Sequence, residues 1–296
     1  MSLHIPRLRI AGPRSLASFA PLALAATLSV SSVAVPSLAL AQQSARDSTA
    51  SSTNTSTSIF TGRDAAIAGG FVIATVAAMP FDRHIAIEAQ RPSVQDNHFL
   101  SHTATTFRLL AQPGAISLGV LTYVAGRADH SPRAAEVGLR TLESIGAAGV
   151  TGLLIKGIVG RARPYAVADT NPHDLHFGRG FHDDRYTSFP SGHTLVAFAA
   201  ASAASDEISY LWPHSSPLIT PALFAGATLS GLSRIYNNDH WVSDVVAGAA
   251  LGTVVARVVV RYERAHPGNR LDRLLLPTAV MPAQGGGMTA SWSFQW

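Results

Sequence analysis

Residues 190–204, PSGHTLVAFAAASAA, join the end of a polar loop to an uninterrupted apolar run. Ser191 is a residue type that caps helices, and Gly192 lets the backbone approach a ligand closely. The run Leu195–Ala204 is uncharged and rich in alanine, which is typical of a helix packed closely on other helices. The stretch therefore predicts a buried helix whose first turn presents free N–H groups and one imidazole, His193.

Further apolar segments of helical length lie on both sides of this stretch, with prolines near the breaks between them. The pattern predicts an all-α fold, a bundle of about six core helices. The predicted segments are 62–80, 104–126, 133–159, 191–211, 217–233 and 241–263.

The N-terminal part has the features of an export signal. Three arginines precede the apolar stretch 16–40, which ends in the cleavage-type sequence ALA at 39–41. Residues 1–41 therefore predict a signal peptide, and the Ser/Thr-rich residues 42–61 predict a disordered linker. The mature protein is expected in the periplasm or cell envelope, with its main helical domain over 62–266.

The C-terminal tail, 267–296, has a different pattern. Residues 274–281 are apolar, 284–287 read QGGG, and 288–296 alternate apolar with small or polar side chains. This pattern predicts a short C-terminal β-hairpin that packs on the helices.

Composition excludes several classes of function. The 296 residues contain no cysteine, which excludes disulfides, Cys-ligated zinc and thiol catalysis. The formal net charge of +4 is small, and no basic stripe is visible, so nucleic acid is not an expected partner. Apolar residues make up 47% and charged residues only 14%, which suits closely packed helices in water or in a membrane.

Two features favour a soluble bundle over a membrane-spanning one. The third segment contains Glu136, Arg140 and Glu143, and the second is strongly apolar over about 14 residues, fewer than the ~20 that a span needs. The first and last segments are apolar enough to span, however, so membrane association stays open.

Two cations converge where the third segment ends. Lys156 is the one lysine among 22 basic residues, which indicates a place where a slim, compact ammonium is required. Arg163 follows seven residues later, and Pro164 stops the helix. Cations gathered in this way would hold an oxyanion such as phosphate.

A histidine and a carboxylate begin the last helix. His240 and Asp244 are four residues apart and share a helix face. The carboxylate could accept a hydrogen bond from one ring nitrogen and leave the other as a nucleophile. Arg234, six residues upstream of His240, adds a third cation.

Three stretches, KGIVGRARP (156–164), PSGH (190–193) and SRIYNNDHWVSD (233–244), together resemble the type 2 phosphatidic acid phosphatase (PAP2) and vanadium haloperoxidase superfamily. The resemblance covers roughly 62–263 and implies a phosphoric ester hydrolase that acts through a phosphohistidine. Its substrate would be a phosphorylated small molecule or a lipid phosphate, with no metal or other cofactor.

The resemblance also assigns roles. His240 would attack phosphorus, Asp244 would orient it, and His193 would protonate the leaving group. The phosphate-binding residues would be Lys156, Arg163, Ser191, Gly192 and Arg234.

Alternative interpretations stay open. The same cradle would suit a vanadate-dependent haloperoxidase, with vanadate as cofactor, or a non-catalytic phosphate-binding envelope protein. The loop between the first two motifs is expected to be a polar rim of the site rather than a metal centre, although it holds His173, His176, His182, Asp183 and Asp184.

Two further charged residues receive structural roles. Asp82 is expected to serve as a helix cap or salt-bridge partner, and Arg161 to face solvent or to make a secondary phosphate contact.

Overall fold

The computed structural model describes residues 60–266 and the backbone of 279–282 and 288–291. Residues 60–266 are all-α, as predicted. The predicted signal peptide and residues 42–59 of the predicted linker lie outside the described residues. The helices are α1 (Gly62–Ala78), α2 (Asp82–Ala89), α3 (Pro92–Gln95), α4 (His98–Leu109), α5 (Ala115–Ala128), α6 (Pro132–Val159), α7 (Gly192–Leu211), α8 (Ser216–Tyr236) and α9 (Val242–Ala265).

Two short strands are described in the C-terminal tail. Strand β1 (Ala279–Pro282) pairs antiparallel with β2 (Met288–Ser291), and Ala279 lies opposite Ser291. The rest of the tail after His266 lies outside the described residues.

Helix α7 is the central helix of the bundle and packs on α6, α8 and α9. Its alanines Ala199 and Ala203 are fully buried against Ala148 of α6 and Ala256 of α9. Small side chains bring helix axes close together, so the alanine-rich run of α7 is suited to a position with helices on several sides.

Two glycines of α9 fix the start of α7. A Cβ at Gly248 would lie 2.6 Å from the backbone oxygen of Ser191, and one at Gly252 would lie 2.3 Å from that of Leu195. Because neither position has room for a side chain, the backbones of α7 and α9 touch directly. This contact sets the beginning of α7 beside the beginning of α9, where the second and third motifs lie.

The chain leaves α6 through a left-handed glycine. Gly160 has a φ of +59° and donates its N–H to the oxygen of Lys156. A Cβ there would lie 1.8 Å from the oxygen of His176, so the position requires glycine. The following loop is tied back to this turn, since Ser188 N–H donates to Arg161 O at 3.0 Å. The loop therefore forms a fixed rim around the end of α6.

Five helical runs are long and apolar enough to cross a membrane, by length and composition. They are Gly62–Ala89, His98–Ala128, Pro132–Val159, Ser216–Tyr236 and Val242–Ala265. The expectation that the second segment is too short was wrong. Pro113 does not end that helix, because a π turn over Leu110–Gly114 joins α4 to α5 in one run of 31 residues.

The charges of the third segment do not exclude a span either. Arg140 is only 4% exposed, and its Nη1 lies 2.8 Å from Glu263 of α9 and 3.0 Å from Glu143. Charges paired in the interior of a bundle are compatible with a membrane-spanning helix. Neither the length of the second segment nor the charges of the third therefore argues against a membrane span.

Candidate active site

A cavity of about 290 Å³ lies at the end of the bundle where α6 ends and α7 and α9 begin. Side chains from all three sequence motifs line it. They include Lys156, Arg163, Gly192, His193 and His240. The motifs, more than thirty residues apart in places, therefore meet around one space.

His240 is held by a backbone carbonyl. Its Nδ1 lies 2.7 Å from the oxygen of Ser188, whereas the nearer carboxylate oxygen of Asp244 is 3.8 Å away. A carbonyl can only accept, so Nδ1 carries the proton and Nε2 keeps its lone pair. Burial, the largest cause, lowers the pKa of His240 to about 3, which keeps the ring neutral at physiological pH.

Asp244 therefore does not orient His240 by a short direct hydrogen bond, as the sequence suggested. It acts through Ser188, whose Oγ donates to Asp244 Oδ2 at 2.5 Å and whose carbonyl accepts from His240. The backbone N–H of Trp241 donates to the same Asp244 oxygen at 2.9 Å. The carboxylate thus binds both the loop residue that accepts the His240 proton and the residue that follows His240.

Arg161 is the residue whose position differs most from expectation. It is 4% exposed and neither faces solvent nor lines the cavity. Its Nη1 donates to Asp244 Oδ1 at 2.6 Å, and its Nη2 donates to Asp82 Oδ2 at 2.8 Å. The guanidinium neutralises two buried carboxylates at once. The salt-bridge role predicted for Asp82 is confirmed by this contact.

Two of the cavity cations are oriented by Thr187. Lys156 Nζ donates to the Thr187 carbonyl, and Arg163 Nη2 donates to Thr187 Oγ1 at 2.9 Å. Neither Thr187 nor Ser188 belongs to the three motifs. The signal that could have found them is their position just before Pro190-Ser191, where the loop must close over the end of α6.

Arg234 is not among the residues that line the cavity, and part of its guanidinium has no partner among the described residues. Its Nη2 donates to Asp239 Oδ2 at 2.6 Å. Its Nε and Nη1 are buried without a hydrogen-bond partner among the described residues. Buried donors of this kind are costly unless a ligand satisfies them, so they are suited to an oxyanion.

The start of α7 matches part of the sequence prediction. Ser191 is the N-cap residue, but its Oγ accepts from Thr194 Oγ1 at 2.9 Å and makes no capping bond to the helix backbone. The first helical bond runs from Leu195 N–H to Ser191 O, so the N–H groups before it are directed out of the helix start. A Cβ at Gly192 would lie 3.4 Å from Lys156 Cε, so the glycine keeps this space open for the lysine stem.

His193 stands on the first turn of α7. Burial lowers its pKa to about 4, and the positive charges of Arg234, Arg163, Lys156 and Arg108 add to this effect. In the empty cavity the imidazole is therefore neutral at pH 7. A bound phosphate dianion would offset the neighbouring cations and favour protonation of His193.

The histidines and carboxylates of the 160–190 loop are dispersed. His176 pairs with Asp174 at 2.8 Å, and Asp183 pairs with Arg185 at 2.9 Å. No group of three or more such side chains is arranged to hold a metal ion in the part of the chain that the structure describes. The loop forms a rim of the cavity, to which Asp184 contributes directly.

Asp184 pairs with Arg163 at the edge of the cavity, and this ion pair is the basis of a prediction. Its side chain is 77% exposed and lies 3.1 Å from Arg163 Nη2. A phosphate must compete with this carboxylate, so Asp184→Asn is expected to lower KM about two- to fivefold, the range of an exposed ion pair, with little change in kcat. Steady-state kinetics on one phosphate ester would measure this.

The matched control for that prediction is Glu88→Gln. Glu88 pairs with Arg91 at 2.7 Å but does not line the cavity, so its KM should stay at the wild-type value. A KM that rises in Asp184→Asn would show that the carboxylate positions Arg163 rather than competing with the substrate.

Comparison with known proteins gives the family of this site. The PAP2 superfamily model matches residues 138–267, a range that contains all three motifs. Residues 138–267 belong to the PAP2 superfamily. The resemblance predicted from the motifs is thereby confirmed.

Curated relatives are similar to parts of this chain. A lipid A 1-phosphatase of Porphyromonas gingivalis is 44% identical over 71 residues, 24% of this chain and 15% of that protein. A lipid A 1-phosphatase of Rhizobium etli is 32% identical over 149 residues, 45% of this chain and 57% of that protein. An undecaprenyl-diphosphatase of Sulfolobus acidocaldarius is 26% identical over 134 residues, 44% of this chain and 61% of that protein. The matched regions thus cover at most about three-fifths of these relatives.

A solved structure shares the PAP2 fold. The transmembrane PAP2-type phosphatidylglycerolphosphate phosphatase from Bacillus subtilis superposes with a TM-score of 0.53 at 22% sequence identity. The match covers 70% of this chain and 98% of that one. This likeness concerns the fold, in which five helical runs of the described residues have the length and composition of membrane spans.

Proposed function

We propose that this chain hydrolyses lipid phosphates through a phosphohistidine formed on His240. The observation that carries the proposal is the tautomer of this histidine. Its Nδ1 proton is donated to Ser188 O, so the unprotonated nitrogen is Nε2, on a ring that lines a cavity with Lys156 and Arg163. A neutral, fixed imidazole beside two cations is arranged for attack on a phosphorus atom.

In the first step, His193 receives the proton that the substrate monoanion brings. The Nε2 lone pair of His240 then forms a bond to phosphorus, the bond from phosphorus to the ester oxygen breaks, and His193 gives its proton to the departing alkoxide. Lys156, Arg163 and Arg234 stabilise the charge on the equatorial oxygens, and the start of α7 at Gly192 adds its N–H groups.

In the second step, water attacks the phosphorus of the phosphohistidine. His193, now neutral, takes a proton from this water, and the bond from phosphorus to Nε2 breaks. Inorganic phosphate leaves, and both histidines return to their starting states. The three cations supply the charge neutralisation that a metal ion supplies in other phosphatases, so we propose that no cofactor takes part.

The membrane-spanning helices and the named relatives support a lipid substrate. The test uses the full chain in lipid nanodiscs with EDTA present, and it measures phosphate release from lipid phosphates and from water-soluble monoesters. We expect turnover in EDTA and a kcat/KM at least about tenfold higher for the lipid esters, since a chain in the bilayer adds binding energy. Absence of release from every lipid phosphate would refute the proposal.

A further inference from the structure

Two polar residues outside the motifs lie where α4 continues into α5: Arg108 is in the last turn of α4, and Gln112 is in the π turn that follows it. Gln112 lines the same cavity as Lys156, His193 and His240. Neither takes part in the mechanism above.

The orientation of Arg108 follows from its neighbours on α4. Ala104, four residues before it, is 6% exposed, and Ala111, three residues after it, is fully buried. This face of α4 therefore turns toward the bundle, where α4 packs on α8, the helix of Arg234. The positive charge of Arg108 contributes to the lowered pKa of His193, which agrees with a guanidinium on the side of α4 that faces the site.

Arg108 is an unusual residue for its position. It lies within the apolar run His98–Ala128, and its side chain is exposed. Among the described residues, none forms a hydrogen bond or an ion pair with its guanidinium. A charged side chain within a spanning segment is costly unless it faces a polar cavity or a partner, so such residues mark binding sites.

The backbone at Gln112 is specialised as well. Residues Leu110–Gly114 form a π turn, with Pro113 inside it. π turns inside α-helices are frequent at functional sites, because the wider turn redirects side chains that a regular helix would place elsewhere. Here the residue in the π turn is Gln112, which lines the cavity.

We propose that Arg108 and Gln112 form a second anion subsite, which binds a phosphoryl or phosphodiester group of the substrate other than the group that His240 attacks. The inference rests on the proposed function and narrows its substrate class to lipids with two anionic phosphorus groups. A guanidinium and an amide together offer several N–H donors, which suits the oxygens of such a group. Three cations already surround the first phosphate, so a fourth beside them serves a further negative charge.

The test compares Arg108→Gln with wild type on three substrates with the same lipid chains. One is a lipid monophosphate with no other anionic group, one is a lipid diphosphate, and one carries a phosphomonoester together with a phosphodiester. We expect kcat/KM to fall at least about tenfold more on a doubly anionic substrate than on the monophosphate, the loss of one charge-assisted hydrogen bond. Selective loss on the diphosphate alone assigns the subsite to an adjacent phosphoryl group, and loss on the third substrate assigns it to a phosphodiester.

Controls separate the subsite from other effects. Arg91→Gln removes another exposed arginine, which pairs with Glu88 outside the cavity. This change should leave the ratios of kcat/KM among the three substrates unchanged. Arg108→Lys should recover part of the preference, and Gln112→Leu should lose part of it. An equal loss of kcat/KM on all three substrates would contradict the proposed subsite, because Arg108 would then act through the effect of its charge on His193. Hydrolysis of the monophosphate by the wild type tests the proposed function separately.

Discussion

His240→Ala is expected to lower phosphate release on the order of 10⁴-fold or more while the helical bundle stays folded. The imidazole is the proposed nucleophile, and among the described histidines that line the cavity it is the one whose ring nitrogen is fixed by a backbone carbonyl. The fold should tolerate the change, because the removed ring gives up one hydrogen bond to Ser188 O, whereas the surrounding turn is held by Asp244 and Arg161. Single-turnover kinetics on a lipid phosphate and a thermal unfolding curve would measure the two effects.

The phosphohistidine itself provides a second measurement. Wild-type protein quenched during turnover of a ³²P-labelled lipid phosphate should retain label that is lost in acid and stable in base, as expected for a bond between phosphorus and nitrogen. The label should be absent in His240→Ala. The control is His266→Ala, since His266 stacks on Tyr262 after the end of α9 and lies outside the cavity. Retention of label in His240→Ala would assign the nucleophile to another residue.

The cavity could be predicted from the sequence because its key side chains lie at helix ends. Lys156, His193 and His240 each stand within a few residues of a predicted break, and ends of neighbouring helices in a bundle meet at the same level. The support of His240 could not be predicted in this way. Its acceptor is the backbone oxygen of Ser188, and a backbone atom leaves no trace in residue type.

The buried position of Arg161 also could not be predicted from the sequence. An arginine two residues before Arg163 in a polar loop reads as a surface residue, and only the fold shows that Asp82, 79 residues away, meets it in the interior. The same holds for Arg140, whose charge counts against a membrane span until Glu263 is seen beside it. A charged residue indicates an exposed position unless a partner distant in the sequence pairs with it in the interior. A single sequence does not show which residues form such pairs.

The length of the second helical segment depends on the backbone conformation at Pro113, which the sequence pattern does not show. Pro113 normally indicates a helix break, since it lacks an N–H and clashes with the preceding turn. Here the π turn accommodates the ring, and α4 continues into α5. A proline alone therefore does not set the length of a hydrophobic span, and composition across it has to be read as one segment.

His193→Ala is expected to distinguish substrates by their leaving groups. Loss of the general acid should lower kcat/KM on alkyl and lipid phosphates about 10²- to 10⁴-fold, because an alkoxide leaves only with a proton. An aryl ester such as p-nitrophenyl phosphate, whose phenolate needs no proton, should lose less than about tenfold. Parallel kinetics on the two esters measure the difference. An equal loss on both would assign His193 to phosphate binding instead of proton transfer.

The pH dependence of kcat/KM is a second test of His193 as the general acid. Since the pKa of His193 is lowered to about 4 in the empty site, the free enzyme at pH 7 holds it neutral. The required proton must then arrive with the substrate monoanion, which exists below the second phosphate pKa of about 6. We therefore expect wild-type kcat/KM on an alkyl phosphate to be level between about pH 4 and pH 6 and to fall about tenfold per pH unit above that. A kcat/KM that rises from about pH 6 upward would contradict this role, because it would require a group that acts only after it has lost its proton.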